Sequence, residues 1–347
     1  MNKLRGVNLG GWLVAERWMT PSLFEGSEAK DEHSLLQEPG GAKKIAKHQK
    51  DFIKESDFAW IKSASLNAVR IPVGYWCLEN DAPYVACAER LDWAMKMAKK
   101  YDLQVLISLH GAPGSQNGHD HSGRIGDANW YAHKIHRHRT IEVLEKLVLR
   151  YNDQPNFWGI ELMNEPKPGL LQLKLRHFYK QAYDRLCKIA RPGLSVVYSD
   201  AFSPRLLSGA INPRPSNPVF LDIHWYHFTF WLHRVLPLKF YWHLVKWHGR
   251  LINNLKKAQG IIIGEWSMVI STEALRKYPT EKHQELMDIH TKIQLDAYEN
   301  ADGWFYWTYK TEGRGLWNFR SMVEGGHIRL DDEPTGVYNS NNYGHSI

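Results

Sequence analysis

Two glutamates stand where a chain can do acid–base chemistry. Glu165 closes the run Glu161-Leu162-Met163-Asn164-Glu165-Pro166, and Glu265 closes Ile261-Ile262-Ile263-Gly264-Glu265. Each follows an apolar run that reads as a buried strand, a costly place for an unpaired charge. A lone glutamate at a strand end is usually a surface carboxylate. Two of them brought together from different strands are what cleavage of a glycosidic bond needs. One is protonated to assist the leaving oxygen, and the other is ionised to attack the anomeric carbon. Carboxyl groups about 5–5.5 Å apart would retain the anomeric configuration.

Other polar and aromatic residues sit at the ends of similar runs. Arg70 could hydrogen-bond the nucleophile and hold it ionised. Asn164 could donate to a sugar 2-hydroxyl, Tyr226 could touch the nucleophile's carboxylate, and Trp307 could form a floor under a sugar ring. His110 and His224 could orient hydroxyls and carboxylates.

The elements that must position these residues alternate. Short β-rich runs fall at Arg5–Leu9, Asn67–Val73, Gln104–Leu109, Phe157–Leu162, Ser195–Ser199, Val219–Ile223, Ile261–Gly264 and Gly303–Thr308. Helical patterns fall between them, at Gln49–Ser63, Ala86–Tyr101, His136–Tyr151, Leu171–Ala190, Phe240–Ala258 and Glu281–Asn300, with a short fifth crossover near Ser203–Gly209. Eight strands with helical crossovers predict a (β/α)8 barrel, a single α/β domain over residues 1–347 with loop insertions and a short tail from about 328. The GxGxxG turn of a doubly wound sheet is missing. In such barrels chemistry sits at the C-terminal strand ends, where all the residues above fall.

The segments Arg70-Ile71-Pro72, Asn164-Glu165-Pro166, Ile263-Gly264-Glu265-Trp266 and Gly303-Trp304-Phe305-Tyr306-Trp307 resemble glycoside hydrolase family 5. Gly6-Val7-Asn8-Leu9-Gly10-Gly11-Trp12-Leu13-Val14 and His110-Gly111-Ala112-Pro113-Gly114-Ser115-Gln116-Asn117-Gly118 narrow the likeness to its exo-β-1,3-glucanase branch. The resemblance runs from about Leu4 to Arg320. It implies that Glu165 is the acid/base and Glu265 the nucleophile. Arg70, His110, Asn164, His224, Tyr226 and Trp307 then line the −1 subsite, and Glu16 binds hydroxyls of the terminal glucose. The chain departs from the branch at Arg17, where proline is usual, and at His119, where an aromatic residue helps clamp the second sugar. The clamp's other half would come from Phe228, Thr229 or Phe230. The expected reaction is a two-step covalent one, with the Glu165 carboxyl raised by the second carboxylate beside it. A sugar-binding barrel without activity is the alternative from another class.

The net charge is +7, and residues 229–264 hold six basic residues and no acid. Phe230–Lys257 has two readings. It is a barrel helix with a solvated basic face, on which Leu244, Trp247, Leu251 and Leu255 turn inward. Or it is a membrane-surface patch that favours a glycolipid or another β-glucoside. No nucleic-acid motif accompanies the pI of about 9.1, so nucleic acid is not an expected partner. His119, His121, His133, His136 and His138 have spacings that permit ligation, but hydrolysis of this kind needs no metal, and neither metal nor cofactor is expected. Three cysteines make no disulfide framework, although a Cys77–Cys87 pair stays open. No signal peptide is legible, which predicts a cytoplasmic protein, or a secreted one if the chain is a mature form.

Overall fold

The computed structural model describes residues 3–168, 172–228 and 235–330. Eight parallel strands close a barrel in chain order: β1 Leu4–Asn8, β2 Ala68–Gly74, β3 Gln104–Gly111, β4 Phe157–Glu161, β5 Ser195–Ser199, β6 Val219–Trp225, β7 Gly260–Trp266 and β8 Gly303–Tyr306. The following helices are α1 Glu55–Ser63, α2 Ala88–Lys100, α3 Lys134–Tyr151, α4 Gln172–Leu186, α5 Pro204–Leu207, α6 Leu238–Leu255, α7 His283–Tyr298 and α8 Phe319–Glu324. The barrel expected from the alternating pattern is the one that forms.

Each strand is buried on both faces. Outward residues such as Val69, Ile71, Ile107, Ile160, Leu221 and Ile263 meet the helices. Inward residues change character along the barrel axis. Leu4, Ala68, Leu106, Val197, Phe220, Ile262 and Phe305 form an apolar cluster of their own. Two residues further along, the same strands carry Arg70, Ser108, Ser199 and Asp222. This step of two is the period of a strand, so one alternation builds both a plug and a polar floor.

The helices form where apolar residues recur every three or four positions. In α3 the buried set is Thr140, Ile141, Val143, Leu144, Leu147, Val148 and Tyr151. The segment read as one helix over Gln49–Ser63 is two. A helix over Gly41–Asp51 stops, and Asp57 restarts the chain as α1 by accepting the Lys54 N–H at 2.8 Å. The inward stripe of α6 also differs from expectation. Leu251 and Leu255 are buried as expected, together with Tyr241, Val245, His248 and Ile252, but Leu244 is half-buried and Trp247 is 39% exposed. Leu171, residues 229–234 and the tail beyond 330 lie outside the described residues. Cys77 and Cys87 are buried thiols, with the Cys87 Sγ donating to the Cys77 Sγ at 2.9 Å.

Candidate active site

The residues singled out in the sequence converge at the C-terminal mouth. Arg70 ends its side chain at the centre and is fully buried. Its Nε donates to Glu161 Oε2 at 2.8 Å. Its Nη1 donates to Asn8 Oδ1 at 2.8 Å and to Glu265 Oε1 at 2.9 Å. Its Nη2 donates to Asn164 Oδ1 at 2.8 Å. A planar fork with five donors suits this junction, which a lysine could not reproduce.

Glu265 receives four groups. Besides Arg70, Tyr226 Oη donates to Oε2 at 2.8 Å. His224 Nδ1 is 3.4 Å from Oε2 and His110 Nε2 is 3.5 Å from Oε1. Burial pushes this carboxyl up, but the His224 charge, the His110 contact and Arg70 outweigh it and hold it well below the usual carboxylate range. His110 itself is pushed down to about 3 by burial, with Arg70 adding to that, so it is a neutral imidazole. Glu265 can only accept and lies 3.5 Å from His110 Nε2, which favours the imidazole proton on that nitrogen and leaves Nδ1 to face the Ser108 hydroxyl at 3.0 Å. Trp307 stacks on His110 at 5.5 Å with 5° between the rings.

Glu165 is placed by strain and by two histidines. Its φ is +40°, a left-handed conformation that an ordinary residue adopts only when its surroundings impose it. Asn117 Nδ2 donates to the Glu165 carbonyl at 2.9 Å. His224 Nδ1 lies 2.7 Å from Glu165 Oε1, and His121 Nε2 lies 3.5 Å from Oε2. An oxygen of Glu165 and an oxygen of Glu265 lie within 4.8 Å of each other.

Glu16 completes the pocket from the loop after β1. It is buried and accepts the Trp18 Nε1–H at 2.8 Å. Burial, with the charges of Asp120, Glu265 and Glu165, pushes its carboxyl well up, which favours the protonated form, a donor to a hydroxyl.

Comparison with known proteins agrees with this geometry. Residues 34–313 match the profile described as Cellulase (glycosyl hydrolase family 5). The "Probable glucan 1,3-beta-glucosidase A" of Aspergillus fumigatus is 34% identical over 93% of this chain and 86% of its own length. The chain belongs to glycosyl hydrolase family 5. It is a β-glycoside hydrolase. The "Glucan 1,3-beta-glucosidase" of Blumeria graminis is 33% identical over 94% of this chain and 86% of its own. Among solved folds, a rutinosidase from Aspergillus niger superposes with a TM-score of 0.80 at 18% identity, covering 95% of this chain and 98% of its own.

In this family 5 barrel one expectation is corrected. Burial and the Glu265 charge do push the Glu165 carboxyl up, but the hydrogen bond and charge of His224, with His121, bring it below its ordinary value. Glu165 and His224 are joined by a 2.7 Å hydrogen bond, so the proton that an acid step needs belongs to the pair. Burial pushes His224 down, yet Glu265, Asp222 and Glu165 raise it well above an ordinary histidine.

Several contributors were not anticipated. Trp317 packs on Trp18 at 5.3 Å, on Phe228 at 5.5 Å and on Tyr226 at 5.7 Å, forming an aromatic wall beside the pocket. Phe228 thus joins that wall, while Thr229 and Phe230 lie outside the described residues. Buried Gln116 donates through Nε2 to the carbonyls of His110 and Asn164, tying the glycine-rich loop to two strand ends. His119 is exposed, its ring 5.5 Å from His121. Among the described residues the loop histidines gather no metal-holding group. The two that exist are Glu161, Asp222 and His224, and Glu165, His224 and Glu265. Arg70 Nη2 lies 2.8 Å from Glu161 and 3.7 Å from Asp222, so a guanidinium supplies the positive charge that an ion would bring.

Proposed function

We propose that this chain is an exo-acting, retaining β-glucosidase of the β-1,3-glucan type, with Glu265 as nucleophile and Glu165 as acid/base. The observation that carries it is the approach of the two glutamates to within 4.8 Å, with Arg70 and Tyr226 on Glu265 alone. That gap suits a covalent two-step route and is too short for a water between them, as inversion requires. Glu265, gripped by Arg70 and Tyr226, stays ionised and attacks the anomeric carbon. The bond to the leaving oxygen breaks as that oxygen takes the proton shared by Glu165 and His224. Glu165 then accepts a proton from water, the water oxygen bonds to the anomeric carbon, and the ester to Glu265 opens.

The orphaned, buried Asn164 Nδ2 is a donor for a sugar 2-hydroxyl. Trp307 offers a ring face to the sugar. Glu16 supports binding of a terminal residue, and its wall favours release of one sugar at a time. The names borne by the Aspergillus and Blumeria relatives favour a β-1,3 linkage. The test is β-1,3-linked glucotriose followed by NMR of the anomeric protons. First appearance of β-glucose beside the disaccharide supports the reading. No turnover overturns the linkage, and first appearance of α-glucose overturns retention.

A membrane-surface substrate is favoured by one feature of α6. Phe240 is 48% and Trp247 39% exposed on the face that carries Lys239, Lys246 and Arg250. Among the described residues no helix is long and apolar enough to cross a membrane. Contact would be peripheral, and sedimentation with phosphatidylserine vesicles at low salt, lost at high salt, is the expected result. No sedimentation at low salt overturns it.

A further inference from the structure

β7 holds one residue more than its neighbours. Along β6, Asp222 pairs with Ile262 but His224 pairs with Glu265. Along β8, Trp304 pairs with Ile263 but Tyr306 pairs with Trp266. Both edges thus show a bulge near Gly264. Ile262 points into the barrel, and strict alternation would send Glu265 outward. The extra residue turns it inward.

Asp222 occupies the space this bulge needs. A Cβ on Gly264 would lie 2.0 Å from Asp222 Oδ2 and 2.2 Å from Oδ1, so only glycine fits. The Gly264 N–H donates to Asp222 Oδ1 at 2.6 Å. On its other side Asp222 Oδ2 lies 3.4 Å from His224 Nε2 and 3.7 Å from Arg70 Nη2. One buried carboxylate is therefore a single group removed from each glutamate. His224 stands between it and Glu165, and Arg70 and the bulge stand between it and Glu265.

We propose that Asp222 is a positioning residue for both glutamates: it seats the bulge that turns Glu265 into the barrel, and it holds His224 as a double donor whose second N–H points at Glu165. The inference rests on the roles proposed above for those glutamates. The imidazole is faced by Glu161 from β4 and Glu165 after it, Asp200 after β5, Glu265 from β7 and, across Asp222, Arg70 from β2. Asp222 is the carboxylate among them that lies against Nε2. A buried imidazole between carboxylates keeps both protons. Asp222 thus acts through His224 and touches no substrate.

The experiment is Asp222→Asn in the full chain. The amide can still accept from Gly264, but its Nδ2 then meets the His224 Nε2–H, donor against donor. Removing the charge lowers the proton affinity of the His224–Glu165 pair. We expect kcat on an aryl β-glucoside to fall at least tenfold with KM little changed. The basic limb of kcat/KM should move about one pH unit lower. An equal loss at every pH with both limbs in place would reduce Asp222 to a packing residue and overturn the proposal. A second measurement needs neither turnover nor a folded variant. The imidazole 15N signals of His224 in the unaltered protein should report a doubly protonated ring at pH 8. A neutral ring at pH 7 overturns the proposal, while a protonated ring in a protein that cleaves no glucoside overturns the glycosidase reading alone.

Discussion

His224 Nδ1 lies 2.7 Å from Glu165 Oε1 and 3.4 Å from Glu265 Oε2. One imidazole thus bridges two carboxylates that would otherwise compete for a single proton. It leaves Glu265 ionised and keeps the mobile proton within reach of Glu165. Division of labour between the two glutamates follows from their partners, Arg70 and Tyr226 for the buried Glu265, His224 and His121 for the half-buried Glu165.

Glu165→Gln should lower kcat on unactivated glucosides by a factor of about 10²–10⁴, the usual worth of a positioned acid. On aryl glucosides with good leaving groups the first step needs little protonation, so the loss there should be smaller. Glu265→Gln removes the attacking group itself and should leave no detectable turnover on either. Steady-state rates on the two substrate classes check this, and equal losses for Glu165→Gln on both would contradict its role as acid.

Much of this site was legible because strand ends carry their chemistry in short contiguous motifs. Asn164 and Glu165 come just after the buried strand β4, and Arg70 and Glu265 lie within the apolar runs of β2 and β7. Asp222 was not legible, since it sits inside an apolar strand and its importance depends on a bulge in the neighbouring one. Trp317 was missed because it reaches the pocket from the loop after β8, with no periodic pattern to place it. The direction of the Glu165 shift is not legible in sequence, because a second carboxylate can be inferred from motifs whereas a histidine 2.7 Å away cannot.

Trp317→Ala should weaken binding more than chemistry. The ring packs on Trp18, Tyr226 and Phe228. Loss of an aromatic platform should raise KM for oligosaccharides about tenfold, near 1.4 kcal/mol. kcat should stay within a few-fold. A fall in kcat with KM unchanged would place Trp317 in the reacting shell instead.

Glu32 gives a pH dependence of stability. Burial raises its carboxyl to about 8, although the Ala15 N–H donates to it at 2.7 Å. The unfolded chain ionises near pH 4.3, so between there and pH 8 the folded state holds the extra proton. Glu32 therefore contributes its full stability below about pH 4.3 and loses it as pH rises toward 8, by on the order of 1 kcal/mol per pH unit. Glu32→Gln keeps an acceptor for Ala15 without the titration. Urea unfolding from pH 5 to 8 should show the variant gaining on the parent as pH rises, and parallel curves would refute the assignment.

Asp57 joins the first crossover to the last strand's loop. It accepts from Tyr309 Oη at 2.9 Å and from Lys310 Nζ at 2.7 Å while capping α1 through the Lys54 N–H at 2.8 Å. The carboxylate is nearly buried, so removing it strands a mostly buried ammonium and a phenol as well as a helix terminus. Asp57→Ala should cost about 3–5 kcal/mol, within the range for breaking a buried pair. Asp57→Asn, which can still accept from Lys54, should cost less. Because β8 leads through Trp307 directly into Tyr309 and Lys310, the same loss should loosen the pocket floor. Thermal unfolding should therefore be protected by a bound glucoside analogue less strongly in Asp57→Asn than in the parent, because a loosened site binds the analogue more weakly. Equal protection in both would separate the brace from the site.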